Sequence, residues 1–271
     1  MTDLQTSRSG RLARTVGRSV FGADVDGYDV ARIGYPAELY DAVSERCGRR
    51  ADLSILEIGP GTGLATRDLL TLDPQRLVAV EADPALAAHL AETINDPRLH
   101  VVEHGFVDAP IAGRFDLACS AAAFHWLEPV PAFARLRELL LPGATLALWW
   151  NVYRQAGAGD PFADAVTPLL ADIDLPPSEG TAGHYSLDVE LHRADIGAAG
   201  FTGFTPFLFR RERTLRTAQV RALYASYSYV RSLAADQRDA LLDTICALAD
   251  TRFGGVVPNV TLTPLYLATA P

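Results

Sequence analysis

Three glycines at alternating positions, Gly59, Gly61 and Gly63, follow an apolar run in Leu56-Glu-Ile-Gly-Pro-Gly-Thr-Gly63. The order is a buried strand, a turn without side chains, then a helix-like stretch. Such a turn lets main chain come close to a ligand. The helix start offers N–H groups with no intrahelical partner. The chemistry is nucleotide or nucleoside binding at the first strand. A turn that only packs strand on helix is the alternative. A pyrophosphate fits poorly, because the dinucleotide spacing needs a small residue at 64, where Leu64 stands. Pro60 also removes a donor. Glu81 closes the next apolar run. A carboxylate at that strand tip can accept from both hydroxyls of a ribose. A capping or surface acid beside Asp83 is the competing reading. His125, within Phe124-His125-Trp126, is the histidine at a strand tip. His89 and His100 fall inside a helix and a strand and read as structural.

The elements that must position these groups alternate strand with helix. That rhythm predicts a mostly parallel sheet covered on both faces. Pro36 opens a helix that ends at Gly48, with Leu39, Tyr40 and Val43 at helical spacing. Strands are expected over 53–58, 76–81, 99–103, 115–120 and 144–150. Helices are expected over 64–72, 83–94 and 131–141, the last stopped by Pro142-Gly143. Beyond Asn151 the alternation lapses. The region 152–200, rich in glycine and proline, reads as a cap with helices near 161–172 and 187–199. A sixth strand over 201–210, helices over 217–233 and 235–253, and a last extended segment over 256–268, split by Pro258, complete the chain. This gives a tail over 1–20 and one domain over 21–271.

Composition narrows the function. The chain has 271 residues and a net charge of −9, and its 24 basic residues are all arginine. Without lysine there is no Walker A lysine, no pyridoxal-phosphate Schiff base and no Tyr-x-x-x-Lys dehydrogenase pair. The acidic balance points away from nucleic acid. Cys47, Cys119 and Cys246 are too far apart in sequence for a zinc ribbon or a dithiol pair, and no metal is expected. No apolar run is long enough to cross a bilayer. The first twenty residues carry Arg8, Arg11, Arg14 and Arg18 without a secretory apolar core. A solvated tail and a cytoplasmic protein are expected.

Five stretches, taken in order, resemble the class I S-adenosylmethionine-dependent methyltransferases of the UbiE/methyltransferase-11 type. They are Tyr28-Asp-Val-Ala-Arg-Ile-Gly-Tyr-Pro36, the loop from Glu57 to Gly63, Val78-Ala-Val-Glu-Ala-Asp-Pro84, Phe115-Asp-Leu-Ala-Cys-Ser-Ala-Ala-Ala-Phe-His-Trp-Leu127 and Leu140-Leu-Pro-Gly-Ala-Thr-Leu-Ala-Leu148. The resemblance implies a Rossmann-like α/β fold: a seven-stranded sheet, its last strand reversed and supplied by 256–268. It implies S-adenosylmethionine as cofactor and S-adenosylhomocysteine as product. Gly59, Gly61 and Gly63 would approach the methionine and ribose portions, and Glu81 would hold the ribose. Glu57 and Ala82, inside two of the stretches, join the cofactor set. Tyr28 and Arg32 would lie over the methionine end, and Ser120 and Ala121 would flank the sulfonium. One position departs from the pattern. Gly105 stands where such proteins usually carry an Asp that accepts from the adenine amino group. Losing that bond is worth ~1.5–3 kcal/mol. Phe106, through its N–H and ring, or Asp108 is then left to serve the adenine.

Methyl transfer needs a nucleophile held in line with the S–CH₃ bond and shielded from water. His125, near the methyl position on this reading, is a candidate general base or orienting donor. A histidine bracing the turn by hydrogen bonds is the alternative. Trp126, Trp149 and Trp150 can wall an acceptor pocket or belong to the core. Tyr185 and His184 in the cap, and Tyr224, Ser228 and Arg231 on one face of the helix over 217–233, are candidate acceptor contacts. The expected partner is a small organic molecule rather than a nucleic acid or a membrane, and a homodimer stays open. Two other classes compete: a non-methylating protein that binds the same cofactor, and a nicotinamide oxidoreductase, which the glycine spacing and missing lysine oppose.

Overall fold

A computed structural model describes residues 33–48, 52–153, 155, 157–171, 173 and 184–271. Tyr28, Arg32, the tail over 1–20 and 174–183 of the expected cap lie outside them. The expected α/β fold is found. Seven strands form one sheet: β1 (Ser54–Ile58), β2 (Arg76–Glu81), β3 (Leu99–Glu103), β4 (Phe115–Ala121), β5 (Leu140–Trp149), β6 (Thr202–Arg216) and β7 (Val256–Thr269), in the order β3-β2-β1-β4-β5-β7-β6. The pairs β1–β2, β2–β3, β1–β4 and β4–β5 are parallel, and β7 runs antiparallel to β5. Every residue of β1 is buried, as a strand covered on both faces requires. The strand order reverses between β1 and β4. Their carboxyl ends are therefore where an open α/β sheet leaves a crevice.

The described residues divide into two compact units. The sheet unit comprises Ile33–Asn151, Asp188–Arg210 and Leu262–Pro271. Its helices are α1 (Ala37–Cys47), α2 (Leu64–Leu70), α3 (Pro84–Thr93) and α4 (Pro129–Leu139), and later α6 (Val189–Ala198). Leu39, Val43, Ile55, Leu69, Leu77, Leu90 and Leu117 fill one core with Trp149. Tyr35 and Tyr40 meet the Trp149 ring edge-on at 5.8 and 6.1 Å. Trp149 is thus core. The second unit, Val152–Leu187 with Arg211–Thr261, holds α5 (Pro161–Val166), α7 (Thr217–Ala225), α8 (Ser228–Arg231) and α9 (Ala235–Phe253). Asp160 caps α5 by accepting from Ala163 N at 2.9 Å, and its other oxygen accepts from Val260 N at 2.8 Å.

Several expected boundaries shift. The helix over 131–141 is Pro129–Leu139, and β5 begins at Leu140, so Pro142-Gly143 sits inside the strand. A register irregularity between Phe115 and Leu117 absorbs the extra residues. The helix near 161–172 turns 3₁₀ at Thr167–Leu170, around Pro168. β6 runs on to Arg216, and β7 is continuous through Pro258. The helix over 217–233 is broken: Ser226 Oγ donates to Leu223 O at 2.6 Å and Tyr227 is extended (φ −73°, ψ 135°). Side chain back-bonding of this kind competes with helix continuation. Tyr224 and Ser228 therefore do not share a helix face.

Candidate active site

The candidate site is built from the tips of β1, β2, β4 and β5, all in the sheet unit. The chain leaves β1 through Gly59, Gly61 and Gly63, each with positive φ (+67°, +59° and +86°). Two of these glycines are required by packing. A Cβ on Gly59 would stand 2.4 Å from Ala123 Cβ, and one on Gly63 would stand 2.6 Å from Leu90 Cδ1. Gly61 differs, since a Cβ there would meet nothing within 4 Å. On that side the bare main chain at Gly61 meets no described residue, as an approaching ligand needs.

Glu81 is buried and joined to this loop. Its Oε2 accepts from Gly61 N at 3.0 Å and its Oε1 from Asp83 N at 2.9 Å. Burial pushes its carboxyl above the ordinary range, while the N–H donors pull it back. Each carboxylate oxygen has a second lone pair for a further donor. Glu57 is 1% exposed. Its Oε2 accepts from Thr66 Oγ1 at 2.7 Å, whereas Oε1 is buried with no hydrogen-bond partner among the described residues. Burial raises its pKa to about 8; the Thr66 bond opposes the rise and the nearby Glu81 charge adds to it.

On the other side of the crevice, Ser120 is fully buried and donates to Ile58 O at 2.9 Å. It fastens β4 to β1. Ala121 follows, and Ala122 adopts φ +54° while its N–H donates to Trp149 O at 2.8 Å. That left-handed bend costs a non-glycine residue roughly 1–2 kcal/mol. It seats Ala123 on Gly59 and turns the chain into a 3₁₀ segment, Phe124–Trp126. His125 lies in this segment, 4.6 Å from the Trp126 ring. Its Nδ1 accepts from Trp150 Nε1 at 3.2 Å. Trp150, one residue past β5, rests on His192 at 5.1 Å, and His192 stacks on Tyr266 at 4.4 Å. At the β2 tip Ala82 is exposed. The chain leaving β3 donates from His104 N to Glu81 O at 2.9 Å. Gly105 precedes a short 3₁₀ turn, Phe106–Asp108, in which Phe106 is buried and Asp108 exposed.

The structure thus brings Glu57, the glycine loop, Glu81, Ser120, His125 and Trp150 to adjoining strand tips. Tyr185, Tyr224 and Ser228 belong to the second unit. There Tyr224 is buried and meets Phe162 and Tyr227 edge-on at 6.2 and 5.3 Å. Asn151 went unremarked in the sequence. Its Nδ2 donates to Ile33 O at 3.0 Å and its Oδ1 accepts from Thr263 Oγ1 at 2.7 Å, tying the segment before α1 to β7. Its place just past β5 was the available signal. Among the described residues no His, Cys, Asp or Glu cluster can hold a metal ion, and no helix is long and apolar enough to cross a membrane.

Comparisons with known proteins bear on the family and the fold. Residues 56–148 match a family model described as a methyltransferase domain. An uncharacterized methyltransferase-like protein of Schizosaccharomyces pombe is 23% identical over 246 residues, 89% of this chain and 90% of its own. An uncharacterized methyltransferase of Mycobacterium tuberculosis is 32% identical over 165 residues, 54% of this chain and 63% of its own. A solved methyltransferase structure from Anaeromyxobacter dehalogenans superposes with a TM-score of 0.62 at 21% identity, covering 88% of this chain and 97% of that one. The last likeness is one of fold.

Proposed function

We propose that the chain is a class I S-adenosylmethionine-dependent methyltransferase, which methylates an oxygen, nitrogen or carbon nucleophile of a small organic acceptor, with the cofactor at the strand tips beside Gly61. One observation carries this reading: the Gly61 N–H meets the Glu81 carboxylate at 3.0 Å, with no described atom within 4 Å of where a Gly61 side chain would be. The donor set fits the group. The remaining lone pairs of Glu81 suit two ribose hydroxyls. The buried, unpartnered Oε1 of Glu57 suits an ammonium. Phe106, Ala82 and Ala121 are the further proposed cofactor contacts among the described residues; Tyr28 and Arg32, assigned by the resemblance to the methionine carboxylate, lie outside those residues.

S-adenosylmethionine, when bound, supplies a methyl group already activated on a cationic sulfur. The chain's own residues then have to orient the acceptor and exclude water. His125 is assigned an orienting role. The Trp150 N–H facing Nδ1 requires a lone pair there, so the neutral ring carries its proton on Nε2. A base at Nε2 would need Nδ1 protonated, against the Trp150 donor. His125 therefore holds an acceptor atom by donation, with Trp126 and Trp150 beside it. The net charge of −9 supports a small acceptor over a polyanion.

Titration with S-adenosylhomocysteine and with NADH, followed by S-adenosylhomocysteine release over a panel of phenols, amines and carbon acids, tests the reading. Binding of the adenosyl ligand, no binding of NADH, and turnover that falls at least tenfold in His125→Ala are expected. Preference for NADH, or unchanged turnover in His125→Ala, contradicts the cofactor or the histidine assignment respectively.

A further inference from the structure

We propose that the second unit carries a binding site for a small organic anion, a carboxylate or phosphate ester with an apolar planar body, anchored by the Arg213 guanidinium. Arg213 lies on β6 and its Nε donates to Asn259 Oδ1 on β7 at 2.9 Å. Asn259 is itself 6% exposed, so its amide is held and fixes the plane of the guanidinium. The Nη2 of Arg213 is buried and has no hydrogen-bond acceptor among the described residues. The groups whose charge bears on Arg213 are Tyr153, Tyr227 and a second cation, Arg211, with no carboxylate among them. Several other arginines are paired with acids, although Arg135 also keeps a buried Nε without an acceptor among the described residues. Arg98, Arg135, Arg193, Arg221 and Arg238 each stand within 3.6 Å of an Asp or Glu oxygen.

A half-buried guanidinium that keeps an unused donor, and no acid partner among the described residues, is unfavourable unless something supplies the acceptor. Its fork matches the two oxygens of a carboxylate or phosphate. The surroundings describe the rest of the ligand. The Tyr153 and Tyr227 rings lie 6.4 Å apart, and Tyr227 stacks on Tyr229 at 5.3 Å with 16° between planes. Aromatic faces beside a cation favour an anion that carries a flat apolar body. The inference stands apart from the cofactor assignment, because it rests on residues of the second unit alone.

Calorimetric titration of the full chain in low-chloride buffer with benzoate, phenyl phosphate, inorganic phosphate and neutral benzamide tests it. Benzoate or phenyl phosphate is expected to bind, benzamide and inorganic phosphate at least tenfold more weakly. Arg213→Gln should weaken the organic anion at least tenfold. Arg213→Lys, which keeps the charge and loses the fork, should fall between. S-adenosylmethionine affinity should stay within twofold in both variants, which reports that they are folded and separates this result from the cofactor reading. A methylated product of the bound anion identifies it as the acceptor; tight binding without product identifies an effector. Either source supports the site. No anion binding to the parent chain, equal binding of benzamide or inorganic phosphate, or an Arg213→Gln chain with lowered Tm and unaltered anion affinity overturns it.

Discussion

Glu57 is a carboxylic acid with one oxygen bonded to Thr66 and the other buried with no donor among the described residues. Unfolded, it titrates at its ordinary 4.5; folded, at about 8. Between those values the folded chain holds a proton that the unfolded chain has lost, so stability falls as pH rises, by up to about 1.4 kcal/mol per unit. Thermal melts from pH 5 to 9 should show Tm in Glu57→Gln flatter over this window than in the parent, and higher above pH 8. Equal pH slopes would refute the burial argument. Gly105 offers a second measurement. Its backbone is ordinary extended chain and a Cβ there meets nothing within 4 Å. Gly105→Asp can thus restore the missing acceptor without strain, and cofactor affinity should rise roughly tenfold or more. At this scale the glycines and Glu81 were legible because their spacing is local. The Ser120–Ile58 and His125–Trp150 bonds were not, because each joins residues brought together only by strand pairing.

The turn after β1 illustrates what elements add to residues. Its three glycines look alike in sequence, yet one faces Ala123, one faces α3, and one faces no described residue. Gly59→Ala must displace Ala123 and is expected to destabilise the chain by about 2 kcal/mol or more. Gly61→Ala meets no atom, so its stability loss stays near 1 kcal/mol, while cofactor affinity drops at least tenfold. Urea melts paired with titrations separate the two; equal losses of stability would remove the distinction. The strands 76–81 and 99–103 were read to the residue because they are apolar runs bounded by turn formers. The break at Ser226-Tyr227 was missed, since a serine that bonds back to its own turn looks the same as one that faces solvent. Pro142-Gly143 misled as a boundary because a bulged strand tolerates both residues.

For the molecule as a whole, strand–helix alternation made a mostly parallel sheet legible, whereas the seven-strand count and the reversed β7 were implied by the family resemblance, and the order β3-β2-β1-β4-β5-β7-β6 is a finding of the structure. Charge and the absence of lysine excluded several chemistries but named no acceptor, because the acceptor is chosen by residues that carry no spacing pattern. The account depends on Glu81 and Gly61 forming one ligand-binding tip. A crystal structure of the chain with S-adenosylhomocysteine tests that most directly. The account predicts both ribose hydroxyls within hydrogen-bonding distance of the Glu81 carboxylate and the ligand main chain against Gly61. A ligand bound elsewhere, or ribose hydroxyls remote from Glu81, would contradict it.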